Sequence, residues 1–108
     1  MAQKLEAFTV QRTDTIRDAM VKITANKSRA VVVLDGTLVI GTVSDGDIRR
    51  ALLKDILPIA PVDEIMNLNC RSTTERDPQQ QRALMTRERI TILPVINEKN
   101  DLVDIVCL

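Results

Sequence analysis

The stretch AVVVLDGTLVIGTVSDGDIRRALL (Ala30–Leu53) decides how the chain folds. Its first six residues, AVVVLD, read as a strand that ends in the turn signal Asp35-Gly36. Leu38 to Val43 is a second strand, so the two form a hairpin, and the apolar, partly β-branched run Val39–Val43 reads as buried. Ile48, Ala51 and Leu52 then recur at helical spacing, with Arg49, Arg50 and Lys54 on the other side. The joint between strand and helix is Ser44-Asp45-Gly46-Asp47, which sets two carboxylates and a hydroxyl at a helix N-terminus. Such a joint can simply start the helix, or it can hold something.

Working outward, the same plan occurs twice. Ahead of the hairpin, Ile16, Ala19, Met20 and Ile23 mark a helix, with Thr13 or Asp14 expected as its N-cap. In the second half, Asp77-Pro78 supplies an N-cap and a proline at the first helical position, opening QQQRALMTRER. ITILPVIN (Ile90–Asn97), the polar turn Glu98-Lys99-Asn100 and LVDIVCL (Leu102–Leu108) then make a second hairpin. Val33 falls opposite Val95 and Asp35 opposite Asn97, a repeat of about 62 residues with a turn one residue longer in the second copy. Pro58 and Pro61 mark a connector, and VDEIM (Val62–Met66) reads as one capped helical turn. The fold class is therefore α+β, two pseudo-symmetric units over residues 1–61 and 62–108, each a small sheet flanked by helices. Val106, Cys107 and Leu108 align with Val43, Ser44 and Asp45, so a helix equivalent to Ile48–Lys54 is missing from the second copy. The expectation is a fragment cut from a longer polypeptide.

Composition narrows the function. Of 108 residues, 44% are hydrophobic, which suits one modest core, and Phe8 is the single aromatic residue. Met20, Met66 and Met85 are expected to fill gaps in that aliphatic core. Fifteen basic residues balance fifteen acidic ones, so no net field favours nucleic acid or an anionic membrane, and stacking platforms for single strands are absent. Apolar runs reach about six residues, short of a spanning helix, and no signal-peptide pattern opens the chain. A soluble, cytoplasmic chain is expected. Cys70 and Cys107 lie far apart without CxxC spacing and read as reduced thiols packed as small hydrophobes. The sequence has no histidine, which removes histidine-based nucleophile activation and histidine metal ligands. No metal site and no catalytic constellation are expected.

Three phrases resemble a tandem CBS-domain pair, or Bateman module: Gly41-Thr42-Val43-Ser44-Asp45-Gly46-Asp47, Leu93-Pro94-Val95-Ile96 followed by Asn97, and the connector Val62–Asn67. TVSDGDIRRALL is also similar to CBS pairs fused ahead of sugar-phosphate nucleotidyltransferase domains. The resemblance implies two CBS repeats that bind an adenosine-containing ligand (AMP, ADP, ATP or S-adenosylmethionine) between them and regulate an attached C-terminal domain, with no cofactor required. It implies that Asp47 accepts hydrogen bonds from ribose hydroxyls, with Ser44 and the helix N-terminus toward phosphate, and Asp45 beside them as an opposing charge. The base would then slot against Cys70, Arg71, Thr91 and Ile92, and Arg71 and Arg29 are candidates for phosphate. Read from spacing alone, Ser44 and Asp47 are first of all a capping box, and Arg49 and Arg50 most simply a solvated helix face, with phosphate contact or a partner interface as the alternative. The pseudo-symmetric second site is damaged: Asp104 stands at the motif glycine and Cys107 at the hydroxyl, so at most one nucleotide site is expected. The alternative is a ligand-free module that only dimerises its parent. Two-fold self-association is expected in either case, because CBS pairs pack through helical faces.

Overall fold

The computed structural model describes residues 2–107, with side chains from Leu5 onward; Leu108, expected at the end of the last strand, lies outside the described residues. The elements run α1 (Ala2–Ala7), β1 (Thr9–Gln11), α2 (Ile16–Asn26), β2 (Ala30–Asp35), β3 (Leu38–Ser44), α3 (Asp45–Leu53), a 3-10 turn (Val62–Glu64), α4 (Pro78–Glu88), β4 (Ile92–Ile96) and β5 (Leu102–Cys107). They form a mixed α+β fold with a three-stranded sheet, β1-β2-β3, and a two-stranded sheet, β4-β5.

The repeat holds at the level of single residue pairs. β2 and β3 are antiparallel with Val33 opposite Gly41, and the register shifts between Val33 and Leu34. β4 and β5 are antiparallel with Val95 opposite Asp104, and the register shifts between Val95 and Ile96. A bulge therefore sits at the same place in both hairpins. The helices match as well: α2 and α4 each have 11 residues and end on a left-handed residue, Lys27 (φ 62) and Arg89 (φ 56). The pseudo-two-fold axis passes between Leu38 and Asp101, which form an isolated antiparallel bridge. Around it the bonds are reciprocal: Val39 N–H donates to the Asn100 carbonyl at 3.1 Å, and Leu102 N–H to the Thr37 carbonyl at 2.9 Å.

Two apolar clusters support this frame. One lies inside the first repeat, where Ile16, Ala19 and Ile23 of α2 meet Val31, Val33, Val43 and Ile48, and it also takes in Val62 from the connector. The other joins the repeats: Ala30, Val32, Leu34 and Val39 pack with Ile92 and Ile105, edged by Leu5, Phe8, Cys70 and Cys107. Burying each such branched side chain stabilises by about 1.5–3 kcal/mol.

Several local expectations are corrected. Thr15, not Thr13 or Asp14, caps α2: its hydroxyl accepts from Asp18 N–H at 3.1 Å and Asp18 Oδ2 accepts from Thr15 N–H at 2.9 Å. Asp14 instead closes the preceding turn by accepting from Gln11 N–H at 2.8 Å. β1, parallel to β2 with Val10 opposite Val33, has no counterpart in the sequence reading, because three residues are too few to show alternation. Its mate in the second repeat shrinks to one parallel bridge, Thr73 with Val95. β3 alternates rather than being buried throughout, and β4 begins at Ile92, so Ile90 and Thr91 precede it. The Val62 turn is 3-10, with Pro61 at its N-cap and no side-chain cap, since proline offers no acceptor there. Met85 is fully buried and Met66 packs at the edge of the core, but Met20 is 37% exposed and Leu52 41% exposed, because the buried stripes of their helices are narrow.

Candidate functional site

β3 ends at Ser44, paired with Ala30, and its side chain caps α3. Both halves of a capping box are formed. Ser44 Oγ accepts from Asp47 N–H at 3.2 Å, and Asp47 Oδ2 accepts from Ser44 N–H at 2.9 Å and from the Ser44 hydroxyl at 3.0 Å. The Asp47 Oδ1 atom accepts from Arg50 Nη2 at 2.7 Å. Gly41, earlier in the same strand, lets the connector run alongside: a Cβ there would lie 3.0 Å from both the Asn67 carbonyl and the Met66 sulfur. With that space free, Thr42 N–H donates to the Asn67 carbonyl at 3.2 Å and Asn67 N–H to the Thr42 carbonyl at 2.8 Å. The pairing leads the chain from Asn67 toward Arg71 past the start of α3.

A cavity of about 440 Å³ opens where these segments meet, within the range of small-molecule sites. The first repeat contributes Ala30, Thr42, Ser44, Asp47 and Arg50. The second contributes Asn67, Asn69, Cys70 and Arg71 from the connector side, and Glu88, Arg89, Ile90, Thr91 and Ile92 from the end of α4. Six of the seven expected site residues thus share one wall system: Ser44, Asp47, Cys70, Arg71, Thr91 and Ile92. Asp45 is not among them. It is exposed, and its N–H donates to the Arg29 carbonyl at 3.0 Å, so its carboxylate does not border the cavity. Arg29 does not line the cavity either; its left-handed backbone (φ 68) places that carbonyl as a cap instead.

The walls carry three guanidiniums and two carboxylates. Arg50 pairs with Asp47, and Arg71 Nε lies 3.2 Å from Glu88 Oε1. Arg89 forms no ion pair among the described residues. Burial pushes the Cys70 thiol above its ordinary value, which keeps it protonated at neutral pH. Among the described residues no group of three potential ligands could hold a metal ion. The arrangement suits a polar, anionic ligand with an apolar edge provided by Ala30, Ile90 and Ile92. Asn67, Asn69, Glu88 and Arg89 were not singled out from the sequence as cavity residues, and Arg50 reads from the sequence first as a solvated helix face. Arg50 had a usable signal, because it stands three residues after Asp47 on one helical face. Arg89 occupies the repeat position of Lys27, but nothing local marks it. No helix among the described residues is long and apolar enough to cross a membrane.

Comparison with known proteins agrees with this geometry. Residues 3–54 match the family model of the CBS domain. An uncharacterized protein of Helicobacter pylori (strain J99) is 28% identical over 97 residues, covering 87% of this chain and 30% of that protein. The chain therefore spans less than a third of the length of the curated relative it matches. A Vibrio cholerae protein assigned to acetoin utilization (AcuB) superposes with a TM-score of 0.82 and 27% identity, over 92% of this chain and 75% of that one. A CBS domain protein from Pyrobaculum aerophilum, complexed with AMP, gives a TM-score of 0.75 at 20% identity, over 96% and 86%. The chain has the fold of a CBS-domain pair.

Proposed function

We propose, from the premise of a CBS-domain pair, that this chain senses an adenosine-containing nucleotide (AMP, ADP, ATP or S-adenosylmethionine) in the cleft between its repeats, residues 1–61 and 62–108. The reading rests on one observation: Ser44 and Asp47 face Cys70, Arg71, Thr91 and Ile92 across a single cavity. The AMP complex of a structural neighbour supports it. A carboxylate suits a vicinal diol, and a cationic wall suits phosphate. Binding at a seam between two halves alters how they pack, and that change is the signal passed to an attached C-terminal domain. The likeness of TVSDGDIRRALL to CBS pairs ahead of sugar-phosphate nucleotidyltransferases makes such an enzyme the proposed target, acting in the cytoplasm as a homodimer. Exposed Met20, Val21, Leu52 and Leu53 on α2 and α3 favour that dimer and also carry the alternative, a ligand-free dimerisation module.

Titration with the four ligands, read by thermal melting, separates the two. A specific ligand at 100-fold excess over its dissociation constant adds about 2.7 kcal/mol of stability. Unmoved melting with all four ligands, beside a stable dimer in sedimentation, leaves the dimerisation module in possession.

A further inference from the structure

Asp47 has little acceptor capacity left for a sugar. Its Oδ2 is taken by the Ser44 amide at 2.9 Å and the Ser44 hydroxyl at 3.0 Å, and its Oδ1 by Arg50 at 2.7 Å. A carboxylate offers about four lone-pair positions, so about one remains, whereas the two hydroxyls of a ribose need two. One present donor must leave. The Ser44 donors belong to the capping box that starts α3, and their loss would loosen the helix that presents Asp47. The Arg50 side chain is 62% exposed and holds Asp47 only as a neighbour three residues along the helix, a weak class of ion pair. Arg50 also lies on the wall of the same cavity.

Resting on the nucleotide reading above, we infer that Arg50 is a displaceable occupant of Asp47 and the residue that makes the site prefer phosphorylated nucleosides to nucleosides. When a ribose takes Asp47 Oδ1, the released guanidinium stays within the cavity and turns to the phosphate. The exchange replaces one ion pair by another. A nucleoside without phosphate expels the same guanidinium and gives it only water in return, so it binds against the loss of the resting pair.

The test is calorimetric titration of the full chain, its Arg50→Ala variant and an Arg49→Ala control with AMP and with adenosine. Arg49 is exposed and off the cavity wall, so the control removes the same charge without touching the exchange. The parent should bind AMP more tightly than adenosine. Arg50→Ala should weaken AMP and tighten adenosine, narrowing their ratio at least about threefold, while Arg49→Ala leaves the ratio in place. If Arg50→Ala shifts both ligands alike, the exchange is overturned and the nucleotide site stands. If the parent binds neither ligand, the exchange is overturned, while the site reading falls only if melting is also unmoved by ADP, ATP and S-adenosylmethionine. Melting of both variants near the parent temperature excludes a folding defect.

Discussion

The hairpins β2-β3 and β4-β5 share register, bulge position and a preceding 11-residue helix, yet only the first ends in a serine that caps a helix at the cavity. The difference comes down to a few side chains. Opposite the bulge the first repeat has Gly41, which admits the connector against β3, and the second has Asp104, whose Oδ1 accepts from Ile105 N–H at 2.8 Å. At the strand end the first has Ser44, capping α3, and the second has Cys107, packed at the edge of the inter-repeat cluster. Beside the first strand, Phe8 joins that same cluster, whereas the corresponding stretch of the second repeat carries Arg71 to the cavity. The backbone plan is thus repeated almost intact, while the two repeats bring different side chains to the cavity. Apolar alternation and turn signals tolerate such substitutions, because they leave the buried pattern untouched.

The sharpest way to break the comparison is to give the first repeat the second repeat's residue. Gly41→Asp puts a Cβ 3.0 Å from the Asn67 carbonyl, a backbone atom that cannot turn aside. The connector must leave β3, and a loss of about 2–4 kcal/mol is expected, read as a melting temperature lower by about 10 °C or more. A variant as stable as the parent would show that Gly41 does not govern the docking of the connector. The reverse change, Asp104→Gly, should cost no more than about 1 kcal/mol, as for glycine in a strand.

Next in size is the ligand response. Asp47→Asn keeps the shape of the capping box but removes charge-assisted bonds, so affinity for AMP should fall at least about tenfold while melting moves by only a few degrees. AMP affinity equal to that of the parent would reduce the Ser44–Asp47 joint to a helix cap. Ser44→Ala should act the other way round, costing about 1 kcal/mol of stability by removing the hydroxyl that caps α3. Cys107→Ala, at the repeat position, should show no loss of a cap, and denaturant melts of the two variants make the contrast measurable.

The smallest effect concerns the pseudo-two-fold axis, where Leu38 meets Asp101. The Thr37 hydroxyl, at 2.7 Å, and then the Asn97 amide hold the Asp101 carboxyl below its ordinary 3.8. A carboxylate whose pKa is depressed in the folded state adds stability above its unfolded value and loses it as pH falls through the folded one. The same holds for Asp18, lowered by the Thr15 amide and hydroxyl in the α2 cap. Melting temperature should therefore decline in acid below about pH 4, and Asp101→Asn should flatten part of that decline. A parallel decline in parent and variant would remove Asp101 from the account of the joint.

The hairpins and the Asp77-Pro78 start were legible because each is set by neighbours within a few residues. The doubled plan followed from them. The α2 cap was misplaced by one or two residues, since Thr13, Asp14 and Thr15 are all competent caps and only the turn closed by Asp14 decides among them. Six of the seven site residues came together around the cavity, and Asp45 did not, because adjacent residues at a helix start point in different directions.

The sequence by itself determined two helix–hairpin units, an aliphatic core and the Ser44–Asp47 joint, since periodicity, turns and caps act over short spans of chain. Tertiary structure alone decided that Val62 enters the core of the first repeat, that Asn67 pairs with Thr42, and that Arg89 reaches the cavity after a left-handed turn. Contacts between residues far apart in the chain depend on how whole units dock, and docking is fixed by the complementarity of buried surfaces, which no local pattern encodes.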